Sequence, residues 1–291
     1  MGLAVSGGPD SLALLALAHN AFPGRIAVAS VDHGIRPESA AECGMVRQIC
    51  EDIGVPASVL TVTLGKGNMQ AEAREARYLA LANWAHEERL GAVATAHHAD
   101  DQAETVLMRL NRGSGLSGLS GIRPVRQLEP ADCQLVRPLL GWRKAELEAI
   151  VAGIGWKPVR DPSNVDERFD RARLRERLSD VAWLDAEALT RSADHLREVE
   201  DDILQRCAEE ILVNVESAGM RTTYRPEASR YIRKRVVQML FAERGRTVSL
   251  AKVDDLVRSL EASERSNLAG VDARVEDGAW VFEPETPRRT G

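Results

Sequence analysis

The sequence predicts an α/β protein in which a parallel sheet is flanked by helices, followed by a smaller, mainly helical C-terminal domain. Strand-like apolar runs and helical patterns alternate four times in the first part of the chain, and this order produces a parallel sheet covered by helices on both faces. The later part has helical periodicity and ends in a segment that alternates apolar and polar residues. We therefore expect two domains, at residues 1–180 and 181–291.

Each element of this fold has a local signal. The first strand begins at residue 3, and further apolar runs predict strands at 26–32, 58–62 and 92–96, with a strand or extended segment at 135–140. Apolar residues at helical spacing, with Gly or Pro near the ends, predict the helices. These begin at residue 12 and continue at 37–53, 70–90, 100–111, 142–154, 184–213, 227–243 and 250–260. Alternation around Asp277-Gly278 predicts a terminal β-hairpin.

Composition argues against several classes of protein. The first residues lack the basic segment of a signal peptide, and no apolar run approaches the ~20 residues of a membrane span. We expect a soluble, cytoplasmic protein with no membrane partner. The net charge of −6 argues against indiscriminate nucleic-acid binding, because that affinity comes from clustered Lys and Arg. The four cysteines form no C-x-x-C pair and are expected to be reduced and structural.

The loop after the first strand has the composition of a phosphate-binding turn. It reads Ser6-Gly7-Gly8-Pro9-Asp10-Ser11. Its glycines remove Cβ atoms where backbone must approach an anion, and Pro9 suits the first position of a helix whose N–H groups point to the same place. The serines can donate to phosphate oxygens, whereas Asp10 would repel phosphate and is predicted to hold Mg²⁺. The lysine of a G-x-x-x-x-G-K-[ST] loop is missing.

Further polar residues follow other predicted strands. Asp32 and His97 lie at the carboxyl ends of the second and fourth strands, where parallel sheets bind ligands. Asp101 and Glu104 are three residues apart, so both carboxylates lie on one face of a first helical turn, where they can stay ionised and bind a cation. The alternative is that these acids only cap the helix.

The histidines permit a rival interpretation. His97 and His98, together with Asp32-His33, could form a metal pair of the kind used by two-metal phosphoesterases. That interpretation leaves the Ser-Gly-Gly loop unexplained. His98 is equally well interpreted as a hydrogen-bonding structural residue.

Arginines and glycines supply the remaining candidates. Alternate positions of a short segment carry Arg171, Arg173 and Arg175. Their guanidinium groups could donate paired hydrogen bonds to phosphates, or they could form salt bridges that help the segment to pack. Arg77, on the long helix, has the pattern of a solvated side chain. The Gly- and Ser-rich segment 113–121 is either a lid or a linker.

Taken in order, these segments resemble a known family. The Ser-Gly-Gly loop resembles the pyrophosphate-binding loop of the N-type ATP pyrophosphatases, and the complete set resembles the bacterial tRNA(Ile)-lysidine synthetases over roughly residues 3–180. The motifs are SGGPDS, VDHGIR, AREARY, TAHHADDQAET, LNRGSGLSGL, RPLL, DPSN and RARLR. The resemblance implies an adenine nucleotide alpha-hydrolase-like, Rossmann-like fold for the first domain, with tRNA contacts in the second.

The resemblance also implies a reaction. Family members use ATP, Mg²⁺ and free L-lysine to convert the wobble cytidine of an isoleucine tRNA with a CAU anticodon to lysidine. The cytidine 2-carbonyl oxygen attacks the α-phosphate, pyrophosphate leaves, and the lysine amine then displaces AMP. A tRNA thiolase with the same loop is the alternative, although this chain lacks the paired cysteines that such enzymes commonly use. Oligomeric state stays open, with a homodimer as one option.

Roles for individual residues follow from their motif positions. The implied catalytic residues are Asp10, Asp101, Glu104 and Arg175, with Asp10 and Asp101 as metal ligands. ATP would contact Ser6, Gly7, Gly8, Pro9, Asp10, Ser11, Asp32 and His97. The other substrates would contact Arg77, Arg112, Arg171 and Arg173. One departure is Arg171-Ala172-Arg173, where the family usually has Arg-Asn-Arg.

Overall fold

A computed structural model describes residues 1–32, 34, 37–62, 69–159 and 184–285. The chain divides into two compact units, Met1–Arg197 and Glu198–Gly291. The domain boundary expected after residue 180 falls outside the described residues, and it stays a prediction. Within the described ranges, no helix is long and apolar enough to cross a membrane.

The first unit alternates strands and helices from β1 to α4, as expected. In chain order its elements are β1 Gly2–Ala4, α1 Pro9–Ala21, β2 Ala27–Asp32, α2 Pro37–Asp52, β3 Ala57–Thr61, α3 Met69–Glu87, β4 Ala92–Ala94, α4 Ala99–Asn111, α5 Leu116–Leu119, β5 Val125–Gln127, β6 Gln134–Val136 and α6 Lys144–Gly153. Helix α7, Ala186–Asn214, begins in this unit and ends in the second.

These strands form one six-stranded sheet with the order β3-β2-β1-β4-β6-β5. All neighbouring pairs are parallel except β5 with β6. The predicted parallel sheet is therefore confirmed, and the antiparallel edge strand β5 is an addition to it. Because β1, β2, β4 and β6 point the same way, the residues that follow them meet at one edge of the sheet.

Both faces of this sheet are buried. On one face Leu3 packs with Leu12 and Leu15 of α1 and with Leu147 of α6. On the other, Leu81 and other residues of α3 pack against strand residues. This two-sided burial explains why the strands are continuous apolar runs without polar alternation.

The second unit is a five-stranded antiparallel sheet with helices. Its elements are β7 Val215–Ala218, β8 Arg221–Tyr224, α8 Arg230–Glu243, α9 Leu250–Glu261, β9 Ser266–Leu268, β10 Val271–Glu276 and β11 Ala279–Pro284. The sheet order is β7-β8-β11-β10-β9. The predicted hairpin is confirmed: β10 and β11 join through Asp277 and Gly278, both with positive φ, as a two-residue type I′ turn requires.

The helices of this unit also match their prediction, whereas β7, β8 and β9 were not predicted. These strands have only three or four residues each, too few to show a clear alternation. They are held in the sheet by pairing with one another and with the hairpin. A core that includes Phe241 and Phe282, in edge-to-face contact at 6.2 Å, closes the unit.

Candidate active site

The loop between β1 and α1 is a tight turn held by its own serines. Ser11 Oγ donates to the Gly8 carbonyl at 3.0 Å and accepts from the Ser6 N–H at 3.2 Å. Gly7 has a φ of +86°, and its carbonyl accepts from the Val159 N–H at 2.9 Å. A Cβ atom on Gly7 would lie 3.0 Å from Met45 Cε. Glycine at this position therefore permits both the left-handed backbone and the close packing.

This turn leaves the start of α1 suited to an anion. Gly8 is the N-cap residue and Pro9 the first helical residue. Among the described residues, no side chain caps the N–H groups of this first turn, and the Ser6 side chain beside them is exposed. Such an arrangement binds phosphate through the backbone and the helix dipole.

A second group of side chains surrounds His98, at the start of α4. We call His98, Asp10, Asp100 and Asp101 the carboxylate–imidazole cluster. His98 Nε2 lies 3.7 Å from Asp10 Oδ2 and 3.4 Å from Asp101 Oδ2, and Nδ1 lies 3.6 Å from Asp100 Oδ2. The imidazole is 3% exposed, so three carboxylates approach a ring that is shielded from water.

Charge in the cluster follows from these distances. Burial alone would lower the pKa of His98, but the carboxylates of Asp10, Asp100 and Asp101 outweigh it and raise the pKa to about 9. The Asp101 N–H also lies 3.4 Å from His98 Nδ1, an approach that would suit a neutral ring. We assign the imidazolium form, because that contact is long and three carboxylates face the ring.

Asp101 has a structural contact as well as a place in the cluster. Its Oδ2 accepts from the His98 N–H at 3.1 Å, which closes the first turn of α4. One carboxylate thus caps the helix and faces the imidazole, so capping and a site role are compatible. Glu104, one turn further along α4, is also buried.

Asp100 is held by a residue that is distant in sequence. It accepts from Arg143 Nη2 at 3.1 Å and from the Lys144 N–H at 2.8 Å. Burial would raise the pKa of Asp100, but His98, Arg143 and the Lys144 N–H together hold it well below its usual range. Sequence reasoning did not identify Asp100 or Arg143. Only the HADD acidic run hinted at Asp100, and nothing local pointed to Arg143.

The donor set suits Mg²⁺. Asp10 directs Oδ2 to His98, whereas its Oδ1 is buried and has no hydrogen-bond partner within the described part of the chain. Magnesium is commonly held by one or two carboxylates together with substrate phosphates, and Asp10 and Asp101 meet that description. Among the described residues, no three His, Cys, Asp or Glu side chains are grouped to hold a metal ion by themselves. His33, part of the phosphoesterase alternative, lies outside them.

Two further predicted ATP-binding residues lie at the carboxyl edge of the sheet. Asp32 ends β2, and its Oδ1 accepts from the Gly34 N–H at 2.9 Å and from Ser39 Oγ at 2.6 Å. His97 follows β4 and places Nδ1 3.0 Å from Thr95 Oγ1. The topology thus brings Ser6, Asp10, Asp32 and His97 to one edge.

The Gly- and Ser-rich segment 113–121 is folded against α4. Arg109 Nη1 donates to the carbonyls of Gly118 at 2.8 Å and Gly121 at 3.0 Å. Gln102, fully buried, exchanges hydrogen bonds with the backbone of Ile122. These contacts give the segment a defined conformation, including the short helix α5. Sequence reasoning did not identify Gln102 or Arg109.

Two of the predicted arginines have exposed side chains. Arg77 lies on α3 and Arg112 is the C-cap of α4, and their proposed substrate contacts stay predictions. Arg171, Arg173 and Arg175 lie outside the described residues, and their proposed phosphate contacts stay predictions.

Comparison with known proteins covers both units. The PP-loop domain family matches residues 1–182. A tRNA(Ile)-lysidine synthase of Novosphingobium aromaticivorans is 44% identical over 96% of this chain and 87% of its own length. One from Zymomonas mobilis is 39% identical over 99% and 89%, and one from Mycolicibacterium paratuberculosis 41% over 88% and 79%.

A solved structure shares the fold. The U34-tRNA thiolase NcsA from Methanococcus maripaludis, with its 4Fe-4S cluster, superposes with a TM-score of 0.57 at 19% identity, over 68% of this chain and 71% of that one. At this identity the likeness concerns the fold alone. It agrees with the adenine nucleotide alpha-hydrolase-like class predicted for the first domain.

Proposed function

Because this chain belongs to the tRNA(Ile)-lysidine synthase family, we propose that it is an ATP-dependent ligase that joins free lysine to the wobble cytidine of an isoleucine tRNA with a CAU anticodon. The observation that carries the proposal is the placement of Asp10 at two features at once. It lies in the uncapped first turn of α1 and beside Asp101 in the carboxylate–imidazole cluster. Asp10 thus belongs both to the helix start that we propose binds phosphate and to the site that we propose binds the cation.

In the first step the chain holds ATP while the RNA attacks. The N–H groups at the start of α1 and the Ser6 hydroxyl bind the phosphates that leave as pyrophosphate. The cytidine O2 forms a bond to the α-phosphorus, and the bond from that phosphorus to the bridging oxygen of pyrophosphate breaks. The RNA is then adenylated at O2.

Asp10 and Asp101 would hold Mg²⁺ beside these phosphates. Bound there, the ion would offset the negative charge that develops on the departing pyrophosphate. His98 keeps both carboxylates at the mouth of the loop, and Asp100 with Arg143 keeps His98 in place. The protein thus fixes the positions of its anionic groups before ATP arrives.

In the second step the lysine ε-amine attacks C2 of the activated base. A C–N bond forms, and the C–O bond to AMP breaks. Lysine has an ordinary pKa of ~10.4, so reaching the neutral amine near pH 7 costs roughly 4–5 kcal/mol. Asp101 is assigned to the cation and to His98, so we propose Glu104, the buried carboxylate three residues further along α4, as the proton acceptor.

The test is transfer of labelled lysine to RNA. Incubation with ATP, Mg²⁺, labelled lysine and an isoleucine tRNA transcript with a CAU anticodon should place label on the RNA. Changing the wobble C to U should stop transfer, because uridine offers no 4-amino group to support activation at O2. Label that ignores this change would contradict the proposal, as would modification only with a sulfur donor.

Asp10→Asn supplies the matched variant. It keeps the size of the side chain but removes the charge that we assign to the cation site, so pyrophosphate release should fall about 100-fold or more. Thermal melting of the same preparation checks that the fold is intact. Near-normal pyrophosphate release would remove Asp10 from its assigned role.

A further inference from the structure

Three arginines gather around one tyrosine on the side of the sheet that α3 covers. The Arg126 guanidinium, on β5, lies 4.4 Å from the centre of the Tyr78 ring, and the Arg74 guanidinium, on α3, lies 5.1 Å from it. Arg137, directly after β6, has Tyr78, Arg126 and Arg74 as its electrostatic neighbours. We call Arg74, Tyr78, Arg126 and Arg137 the arginine–tyrosine cluster.

Arg137 forms the buried base of this cluster. Its side chain is 5% exposed, and its Nη1 donates to the Arg123 carbonyl. Its Nε is buried and has no hydrogen-bond partner within the described ranges. A buried guanidinium is costly unless its charge is compensated, so this residue points to an anionic partner that the described residues do not provide.

The charge of the cluster is not balanced by neighbouring acids. In the described part of the chain, no carboxylate lies within ion-pair distance of Arg74, Arg126 or Arg137. Burial lowers the pKa of Arg137, and the like charges of Arg126 and Arg74 lower it further, while Tyr78 opposes the change. By contrast, Arg143 has Asp100 and Arg235 has Glu200. Because the chain has a net charge of −6, an overall basic composition does not explain why three cations are grouped here.

The cluster also lies near the carboxyl edge of the sheet. β6 pairs with β4, and the Thr95 N–H donates to the Val136 carbonyl at 3.0 Å. Arg137 directly follows β6, just as His97 and His98 follow β4, so these residues lie beyond the same edge of the sheet. The Arg74 and Arg126 residues are exposed, so a large ligand can reach them from solvent.

We propose that the arginine–tyrosine cluster is an oxyanion site that binds a backbone phosphate of the RNA substrate next to the reacting cytidine. The inference rests on the proposed function for the identity of the RNA. Guanidinium groups match phosphate with paired donors. Three of them, on α3, β5 and the residue after β6, exceed what a single amino-acid carboxylate would occupy, and two open to solvent, as a polyanion requires.

The experiment compares two charge-changing variants. The double variant Arg74→Gln/Arg126→Gln removes the exposed donors, and Arg47→Gln removes an exposed helical arginine that pairs with Glu51 on α2. RNA affinity is measured by filter binding at several salt concentrations, with the CAU transcript and with a generic single-stranded oligonucleotide. Thermal melting is recorded for each variant, and Arg74→Gln and Arg126→Gln alone are retained in case the double variant does not fold.

The double variant should weaken binding of the transcript about tenfold, as expected from lost hydrogen bonds to a charged group. The slope of log K against log salt should also become shallower by about 0.7 for each lost phosphate contact. Arg47→Gln should change neither quantity beyond about a twofold effect, because a solvated pair contributes little. Inorganic phosphate should compete with RNA more weakly in the double variant than in the native protein.

Two outcomes would overturn the inference. One is unchanged RNA affinity and salt slope in folded variants. The other is a raised KM for lysine with unchanged RNA affinity, which would assign the site to the amino-acid carboxylate. The proposed function is tested separately by lysine transfer with the native protein. If transfer fails while the variants still lose RNA affinity, the phosphate site stands and the reaction assignment falls.

Discussion

At the scale of the residue, the candidate site depends on how one histidine joins three acids. His98 contacts Asp10 of α1 and both Asp100 and Asp101 of α4. Carboxylates this close would repel one another without an intervening cation. The imidazolium supplies that charge and keeps the acids near the loop. Individual substitutions can therefore distinguish three effects: the charge of Asp101, its capping of α4, and the support that Arg143 gives to Asp100.

Asp101→Asn should separate the charge of this residue from its helix cap. The amide oxygen can still accept from the His98 N–H, so unfolding free energy should change by less than about 1 kcal/mol. Pyrophosphate release should nevertheless fall about 100-fold, because the charge facing the cation site is lost. Denaturant unfolding and pyrophosphate release are measured on the same preparation. Asp101→Ala serves as the control, because it should lose the helix cap as well as the charge. If the Asn variant keeps its activity, Asp101 only caps the helix.

Arg143→Met should reveal the support that Asp100 receives. Without the guanidinium, Asp100 keeps, among the described residues, the Lys144 N–H and His98 as partners. Turnover should fall about tenfold, as is typical when a group behind a ligand is removed. Lys144→Met is the matched control, because its exposed side chain forms a 4.0 Å pair with Glu148 on the surface of α6, and such pairs contribute little. Equal turnover in the two variants would show that Arg143 does not position the cluster.

At the scale of the element, the segment after α4 shows how a glycine-rich stretch becomes ordered. Gly121 has a φ of +69°, and a Cβ there would lie 2.5 Å from Gln102 Oε1. The same Gln102 binds the Ile122 backbone, so the loop can approach α4 only because Gly121 has no side chain. Flexible composition and a fixed conformation are thus compatible when a buried helix residue supplies the hydrogen bonds.

Gly121→Ala tests this contact against a neighbour with the same backbone. Gly113 has a φ of +67°, but no neighbouring atom lies within 4 Å of the place that a Cβ would occupy, so Gly113→Ala should cost only the ~1–2 kcal/mol of a left-handed alanine. Gly121→Ala should cost roughly 1–3 kcal/mol more, because Gln102 must move. Urea unfolding of both variants measures the difference. Equal destabilisation would mean that the loop can shift away from Gln102.

At the scale of the whole molecule, each unit has a core of its own. The first has cores on both faces of its parallel sheet, and the second has the core that includes Phe241 and Phe282. Within the second unit, Arg235 and Glu200 form a buried bidentate ion pair at 2.8 and 3.1 Å, with side chains 8% and 1% exposed. A single substitution there should destabilise that unit in particular.

Glu200→Ala should destabilise the second unit by roughly 3–5 kcal/mol, because it leaves Arg235 buried without its partner. Asp255→Ala, in the same unit, is the control: Asp255 pairs with Arg258 at the surface, and its loss should cost less than about 1 kcal/mol. Calorimetry and limited proteolysis, with fragments assigned to each unit, measure the effect. A loss below about 1 kcal/mol for Glu200→Ala would show that the second unit tolerates the unpaired guanidinium.

Sequence alone determined the features whose signals are local. Alternating periodicities predicted the parallel sheet, Asp277-Gly278 predicted the hairpin, and the composition of residues 6–11 predicted a turn at a helix start. Each rests on the backbone preferences of neighbouring residues or on regular spacing, which a linear chain displays directly. The acids of α4 were found for the same reason, since three residues of separation place them on one helical face.

Tertiary structure alone decided which of these residues meet. Arg143 reaches Asp100 across 43 positions, and Arg137 joins Arg74 and Tyr78, because β6 pairs with β4 and α3 covers the same face. Likewise, the three short strands of the second unit, β7, β8 and β9, can be identified only from the strands with which they pair. The physical reason is that ion pairs, burial and strand pairing depend on distance in space, and folding brings together residues whose separation along the chain carries no periodic signal.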